Sequence, residues 1–202
     1  MAINVITEDR ASGAQVIDGS LKFQQNPVNT HLQRTFATGN RRTWTWSAWI
    51  KNSFSGDRGL FSASTDASNR NGFTLQDEDK LLFDFEDGGT RYLTRTDAVY
   101  RDDSQFYHFV LAIDTTQSTE SNRVRIYVNG TEQSLTEVVS GYPSQNAEMF
   151  VNSNIEHYIG RQSWDSSAEF GGYMTQVYFV DGQQLGPESF GFTDGLTNTW
   201  RP

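Results

Sequence analysis

The nine residues Thr43-Trp-Thr-Trp-Ser-Ala-Trp-Ile-Lys51 constrain the fold more than any other stretch of this chain. Alternation puts Trp44, Trp46, Ala48 and Ile50 on one face and Thr43, Thr45, Ser47 and Trp49 on the other, which is the period of a strand and not of a helix. Two of its three indoles share one face, so the strand needs a second apolar layer to cover it, and it reads as the central strand of a packed sheet.

The remaining periodic segments agree. Short strands are expected at 59–63, 72–76, 81–85 and 91–94, separated by Asp, Asn, Ser and Gly clusters, and strands so close in sequence form meanders. Phe106 to Asp114 and Arg123 to Val128 read as a long hairpin, followed by a turn at Asn129-Gly130. His157 to Gly160 and Gly172 to Val180 supply two more strands, and Asp181-Gly182 turns the chain toward a single helical turn at Pro187 to Phe190. With 17 Gly, 4 Pro and 13% aromatic residues in 202, the chain is expected to be all-β: an antiparallel two-sheet β-sandwich.

This length suits one core. Residues 1–13 read as a polar N-terminal arm, 14–192 as the sandwich, with first strands around Val16, Ile17, Leu21 and Phe23, and 193–202 as a tail that could begin a further segment. Twenty-five acidic against sixteen basic residues give a net charge of −9, which disfavours nucleic acid and anionic lipid as partners. The absence of cysteine excludes disulfides, thiolate metal sites and thiol nucleophiles. Met1 to Arg10 has neither the basic nor the apolar region of a secretory signal, and no run has membrane-spanning length. Folding in a bacterial cytoplasm, or in a particle assembled there, is therefore expected.

Three pieces in order resemble laminin-G-like and pentraxin-like jelly rolls of the concanavalin A-like superfamily. They are Trp44 to Lys51, then Phe106 to Leu111 with Val124 to Gly130, then Tyr158-Ile-Gly160 followed by Phe170 to Tyr178. A narrower resemblance rests on Ser20 to Phe23, Asn40 to Trp46, Leu60 to Ala63 and Phe179 to Gly191. These segments are similar to laminin-G-like parts of structural proteins from tailed bacteriophages, particularly phages of marine bacteria. The resemblance implies a virion component (fibre, appendage or capsid decoration) that is homo-oligomeric, contacts other virion proteins and attaches to host-surface glycan.

In pentraxin-like relatives two loops hold calcium, and their counterparts here are 64–71 and 161–165. Asn71 falls on the family's Asn, Arg70 replaces its Asp, Gln162 replaces its Glu, and Asp165 lies near its second Asp. Calcium takes about six to eight oxygen ligands, several of them charged, so the departures weaken the set. The metal candidates are Asp66, Asn71 and Asp165. The two loops are expected to share one rim, where Trp164, flanked by polar neighbours, would offer an exposed indole to a sugar ring. Asp165, Gln162, Asn69 and Asn71 would then take hydroxyl hydrogen bonds. The competing reading has Trp164 covering an edge of the core or meeting another subunit.

Glycoside hydrolases share this fold and place two carboxylates about 5–9 Å apart. Asp84 and Glu86 alternate along one strand, but the family pattern Glu-x-Asp-x-x-Glu is absent, so no enzyme is expected and the pair reads as solubilising. His31, His108 and His157 are too scattered for a metal site, and His108 is expected to be a hydrogen-bonded sheet residue. Asn129-Gly-Thr131 reads as a turn. Two other roles stay open: an architectural decoration without ligand, in which Trp164, Tyr142 and Trp200 lie in protein contacts, and a polysaccharide depolymerase.

Overall fold

The computed structural model describes residues 19–25 and 30–202. The expected arm and the strand residues Val16 and Ile17 lie outside them. In chain order the strands are β1 (Leu21–Phe23), β2 (Leu32–Thr35), β3 (Thr43–Asn52), β4 (Arg58–Asp66), β5 (Asn69–Leu75), β6 (Leu81–Asp87), β7 (Thr90–Thr96) and β8 (Tyr107–Asp114). They continue with β9 (Val124–Val128), β10 (Thr131–Glu132), β11 (Leu135–Val139), β12 (Glu156–Ile159), β13 (Gly172–Asp181), β14 (Phe192–Thr193) and β15 (Trp200–Arg201). All pairings between them are antiparallel.

Two large sheets face each other. The six-stranded sheet runs β1-β13-β3-β8-β9-β10 and the seven-stranded sheet runs β11-β7-β6-β5-β4-β12-β2. The strand expected to be central is β3, flanked by β13 and β8, and the meander is β4 through β7. The helical turn at Pro187 is a short 3-10 segment, Pro187–Ser189. Among the described residues no helix is long and apolar enough to cross a membrane.

The core forms where the inward rows of the two sheets meet. Trp44, Trp46, Ala48 and Ile50 of β3 interlock with Leu60 and Phe61 of β4, Phe73 of β5 and Phe83 and Phe85 of β6, all of them buried. Trp46 stacks on Phe61 at 5.9 Å and meets Phe73 edge-on at 5.7 Å. Fully burying side chains of this size contributes about 1.5–3 kcal/mol each, the main stabilising term in a chain without cross-links.

The other face of β3 is also covered, which alternation alone does not foresee. The Thr45 hydroxyl donates to the Gln183 carbonyl at 2.7 Å and accepts from the Leu185 N–H at 2.8 Å, tying the chain after β13 across the six-stranded sheet. The C-terminal residues then pair β14 with β15, and Trp200 stacks on His108, the imidazole on which Trp49 also stacks. The segment expected as a tail is thus packed on this sheet. Gly130, at φ +82° in the Asn129-Gly130 turn, leaves the room: a Cβ there would sit 2.4 Å from the Trp200 ring.

Candidate functional site

The 161–169 segment folds over the outer face of the seven-stranded sheet. Its backbone runs so close to β4 that the Ser62 hydroxyl donates to the Arg161 carbonyl at 2.9 Å, and a side chain on Gly59 would strike the Arg161 carbonyl carbon. Trp164 lands on Gly72, in the middle of β5, where a Cβ would lie 2.3 Å from the indole. Gly72 is the sequence signal for this contact, since a lone glycine inside a strand marks a close approach. The guanidinium of Arg70, two residues earlier on the same face, lies over the indole at 5.0 Å. Trp164 remains partly exposed beside the exposed residues Asp165, Ser166 and Ser167.

A charged network lies next to it. Gly72 pairs with Asp84 across β5–β6, Arg70 with Glu86, and Glu86 with Arg91 across β6–β7. This register brings two guanidinium groups onto one carboxylate. Arg91 grips Asp84 through Nε at 3.0 Å and Nη2 at 2.9 Å, and Arg70 Nε reaches Asp84 at 3.1 Å while its Nη2 lies 2.7 Å from Glu86. The bond from Asp84 raises the Arg91 pKa further above its ordinary value. Asp84 is buried, so the reading of this pair as solubilising surface charge is corrected. The arginines that neutralise it come from neighbouring strands and are invisible to the spacing within β6.

The candidate ligand residues divide into two groups. Asn71 and Gln162 are buried in contacts within the protein. Asn71 is buried, accepts hydrogen bonds from the Phe150 N–H at 2.5 Å and the Val151 N–H at 3.2 Å, and so anchors the 149–151 segment to β5. Gln162 is buried and donates to the Thr74 hydroxyl at 2.9 Å, which fixes the segment carrying Trp164. The stretch expected as a loop at 64–71 is strand on both sides of a tight turn, so Asn71 belongs to the sheet and not to the rim.

Asp66, Asn69 and Asp165 do lie toward the surface. Asp66 accepts from the Asn69 amide at 2.9 Å and the Ser68 N–H at 2.8 Å, and these bonds, the Asn69 one first, hold its carboxyl below the usual range. Asn69 in turn accepts from the Gly88 N–H at 3.1 Å, clasping two neighbouring turns. Asp165 accepts from the Ser167 hydroxyl at 2.7 Å and N–H at 2.8 Å, which lowers its pKa in the same way. Asp66, Asn71 and Asp165 do not fit a calcium ion: each is spent on its own neighbours, and among the described residues no three carboxylates or histidines converge.

His108 is hydrogen-bonded within the six-stranded sheet, as expected, and burial pushes its pKa down to about 4.

This architecture, two antiparallel sheets with an aromatic inner layer and loops gathered over the seven-stranded face, defines a laminin-G-like jelly roll. The family model described as the Concanavalin A-like lectin/glucanases superfamily matches residues 24–188, and the chain belongs to that family. Among solved structures it is similar to domains LG4-5 of the mouse laminin alpha1 chain, with a TM-score of 0.59 and 15% identity over 82% of this chain and 43% of that one. It is also similar to the CBM40 of the Ruminococcus gnavus IT-sialidase, with a TM-score of 0.56 and 12% identity over 80% and 96% of the two chains. Domain 4 of AbnA, a GH43 extracellular arabinanase from Geobacillus stearothermophilus solved with arabinotriose, aligns with a TM-score of 0.54 and 18% identity over 74% and 64%. Among curated protein sequences none matches.

The contact between Trp164 and Gly72 yields a direct test. Gly72→Ala is expected to lift the indole from the sheet, costing about 1–3 kcal/mol by overpacking. Chemical denaturation reads the stability, and tryptophan emission should shift to the red as the ring enters water. An unchanged emission maximum with unchanged stability would contradict the placement of Trp164.

Proposed function

We propose that this domain binds glycan on the seven-stranded face and that Trp164 is the stacking platform. The observation that carries the reading is a partly exposed indole held in place by Gly72 beneath it and Arg70 across it, beside hydroxyl and carboxylate groups. A ring held in advance loses little conformational freedom when a sugar stacks on it. The accessible face of Arg91, about 39% exposed, and the exposed Asp165 and Ser166 supply polar groups for hydroxyls. A relative solved with arabinotriose supports a carbohydrate ligand for this sandwich.

Binding without catalysis is the chemistry these residues suit. Asp84 and Glu86 share a face as a hydrolase pair would, yet both are held by arginines, whereas a catalytic acid must give up a proton. In the setting that the sequence resemblance implies, a tailed-phage fibre, appendage or decoration, the domain would be carried by other virion proteins as a homo-oligomer and attach the particle to host-surface glycan.

Glycan-array screening followed by titration of the best ligand tests the proposal. Trp164→Ala should weaken binding about tenfold or more, equivalent to at least 1.4 kcal/mol, without loss of the fold. Equal binding by wild type and variant, or no glycan retained by either, would overturn it.

A further inference from the structure

The six-stranded sheet carries a concavity on the side of the molecule opposite the Trp164 face. It has a volume of about 370 Å³ and is walled by the aromatic rings of Trp49, Phe106 and Trp200, with Ser20, Thr175 and Arg201 supplying the polar lining. We infer that this cavity is a second binding site, for a single neutral sugar ring or a polyol of similar size, independent of the Trp164 face.

Three observations support it. The volume and the mixture of aromatic walls with a few polar groups match a small-molecule site. The walls are held in place: Trp200 donates its indole N–H to His108 Nδ1 at 2.9 Å and sits in the gap left by Gly130 and Gly191, while Trp49 stacks on the same imidazole at 5.0 Å. Next to Thr175, Gln176 adopts a left-handed backbone, φ +49°, where β13 slips register against β3 between Thr175 and Tyr178. A bulge with a strained non-glycine residue inside a strand is a feature that clusters at functional sites.

The chemistry selects a neutral ligand. Arg201, the cation of the lining, already lies 3.7 Å from Asp194 and donates to the Thr199 hydroxyl at 3.1 Å, leaving little attraction for phosphate or carboxylate. Thr175 donates its proton to the Gly19 carbonyl at 2.9 Å, so its oxygen is free to accept. Apolar ring faces with acceptor and donor groups at the edge suit a molecule that is apolar on its C–H faces and hydroxylated at its rim.

The test is a titration of ¹⁵N-labelled protein with methyl β-D-galactopyranoside and methyl α-D-glucopyranoside, read through the five indole N–H resonances. The Trp49 and Trp200 signals should move with a Kd of about 1 mM for at least one of them. The movement should persist in Trp164→Ala, which separates this site from the proposed glycan face, and weaken about tenfold in Phe106→Ala. Phe106 lies outside the core cluster, and Thr175→Val, nearly isosteric, provides a second variant expected to weaken binding in the same direction. No displacement of either indole, displacement of Trp164 alone, or full binding by both variants would overturn the inference.

Discussion

Asp84→Ala should destabilise the protein by about 3 kcal/mol, because it takes from Arg70 and Arg91 the buried carboxylate they share and leaves Glu86, which pairs with Arg70, to balance two guanidinium groups. The side chain of Asp84 is 4% exposed and that of Arg70 11%, so water cannot replace the lost partner at either position. Arg91, more open to solvent, can turn outward and recover part of the loss. The neighbouring Asp87, at the exposed end of β6, provides the control: Asp87→Ala is expected to change stability by less than about 0.5 kcal/mol. Urea denaturation of both variants checks the prediction. Equal effects at the two positions would mean that the network contributes nothing beyond surface charge. Because Arg70 also lies over the Trp164 ring, Asp84→Ala should disturb the proposed glycan face too, with the indole losing its cover as Arg70 reorients.

Acidification should loosen the packing of the C-terminal segment through His108. An indole N–H can only donate, so His108 Nδ1, 2.9 Å from Trp200 Nε1, must accept, and the imidazole proton belongs on Nε2, which donates to the Ser47 hydroxyl at 2.8 Å. Protonation would set one N–H against another. Burial pushes the folded pKa down to about 4, below the unfolded value of about 6.5, so between these pH values the unfolded chain binds the proton and the folded one does not. The contribution is therefore fully present above about pH 6.5 and is lost as pH falls toward 4, by about 3 kcal/mol in total and about 2 kcal/mol between pH 7 and pH 5. His157 adds to the same trend, since burial lowers its pKa as well while its Nε2 accepts from the Asn152 N–H at 2.8 Å.

His108→Gln keeps an acceptor for Trp200 and a donor for Ser47 but does not titrate, so its stability should fall less steeply over pH 7 to 5. Denaturant unfolding at several pH values, followed by tryptophan emission, makes the comparison in a range where most carboxylates stay ionised. Parallel pH profiles for wild type and variant would refute the role given to His108. The same experiment bears on the cavity beside Trp49, because loss of the Trp200 wall at low pH should abolish binding there and leave the opposite face intact.

What the amino-acid sequence determined by itself was the longer strands and their inward rows, whereas β2 and β11, edge strands with almost no buried residue, and the C-terminal pair β14–β15 carry no such pattern and were not foreseen. Trp44, Trp46, Ala48 and Ile50 fall on one side of any extended chain, and turn residues at Asn129-Gly130 and Asp181-Gly182 break the pattern where strands end. These signals are local, with a period of two residues, so the all-β sandwich and its central strand were legible without coordinates. The partnership between strands is not local. Whether Asp84 meets water or two arginines depends on how β5 and β7 align with β6, and whether Asn71 faces a ligand or the 149–151 segment depends on contacts about 80 residues apart in the chain. The same holds for Gln162 and for residues 193–202. Each has a side chain that could serve equally well at a rim, and only the packing of distant segments against the two outer faces directed it inward.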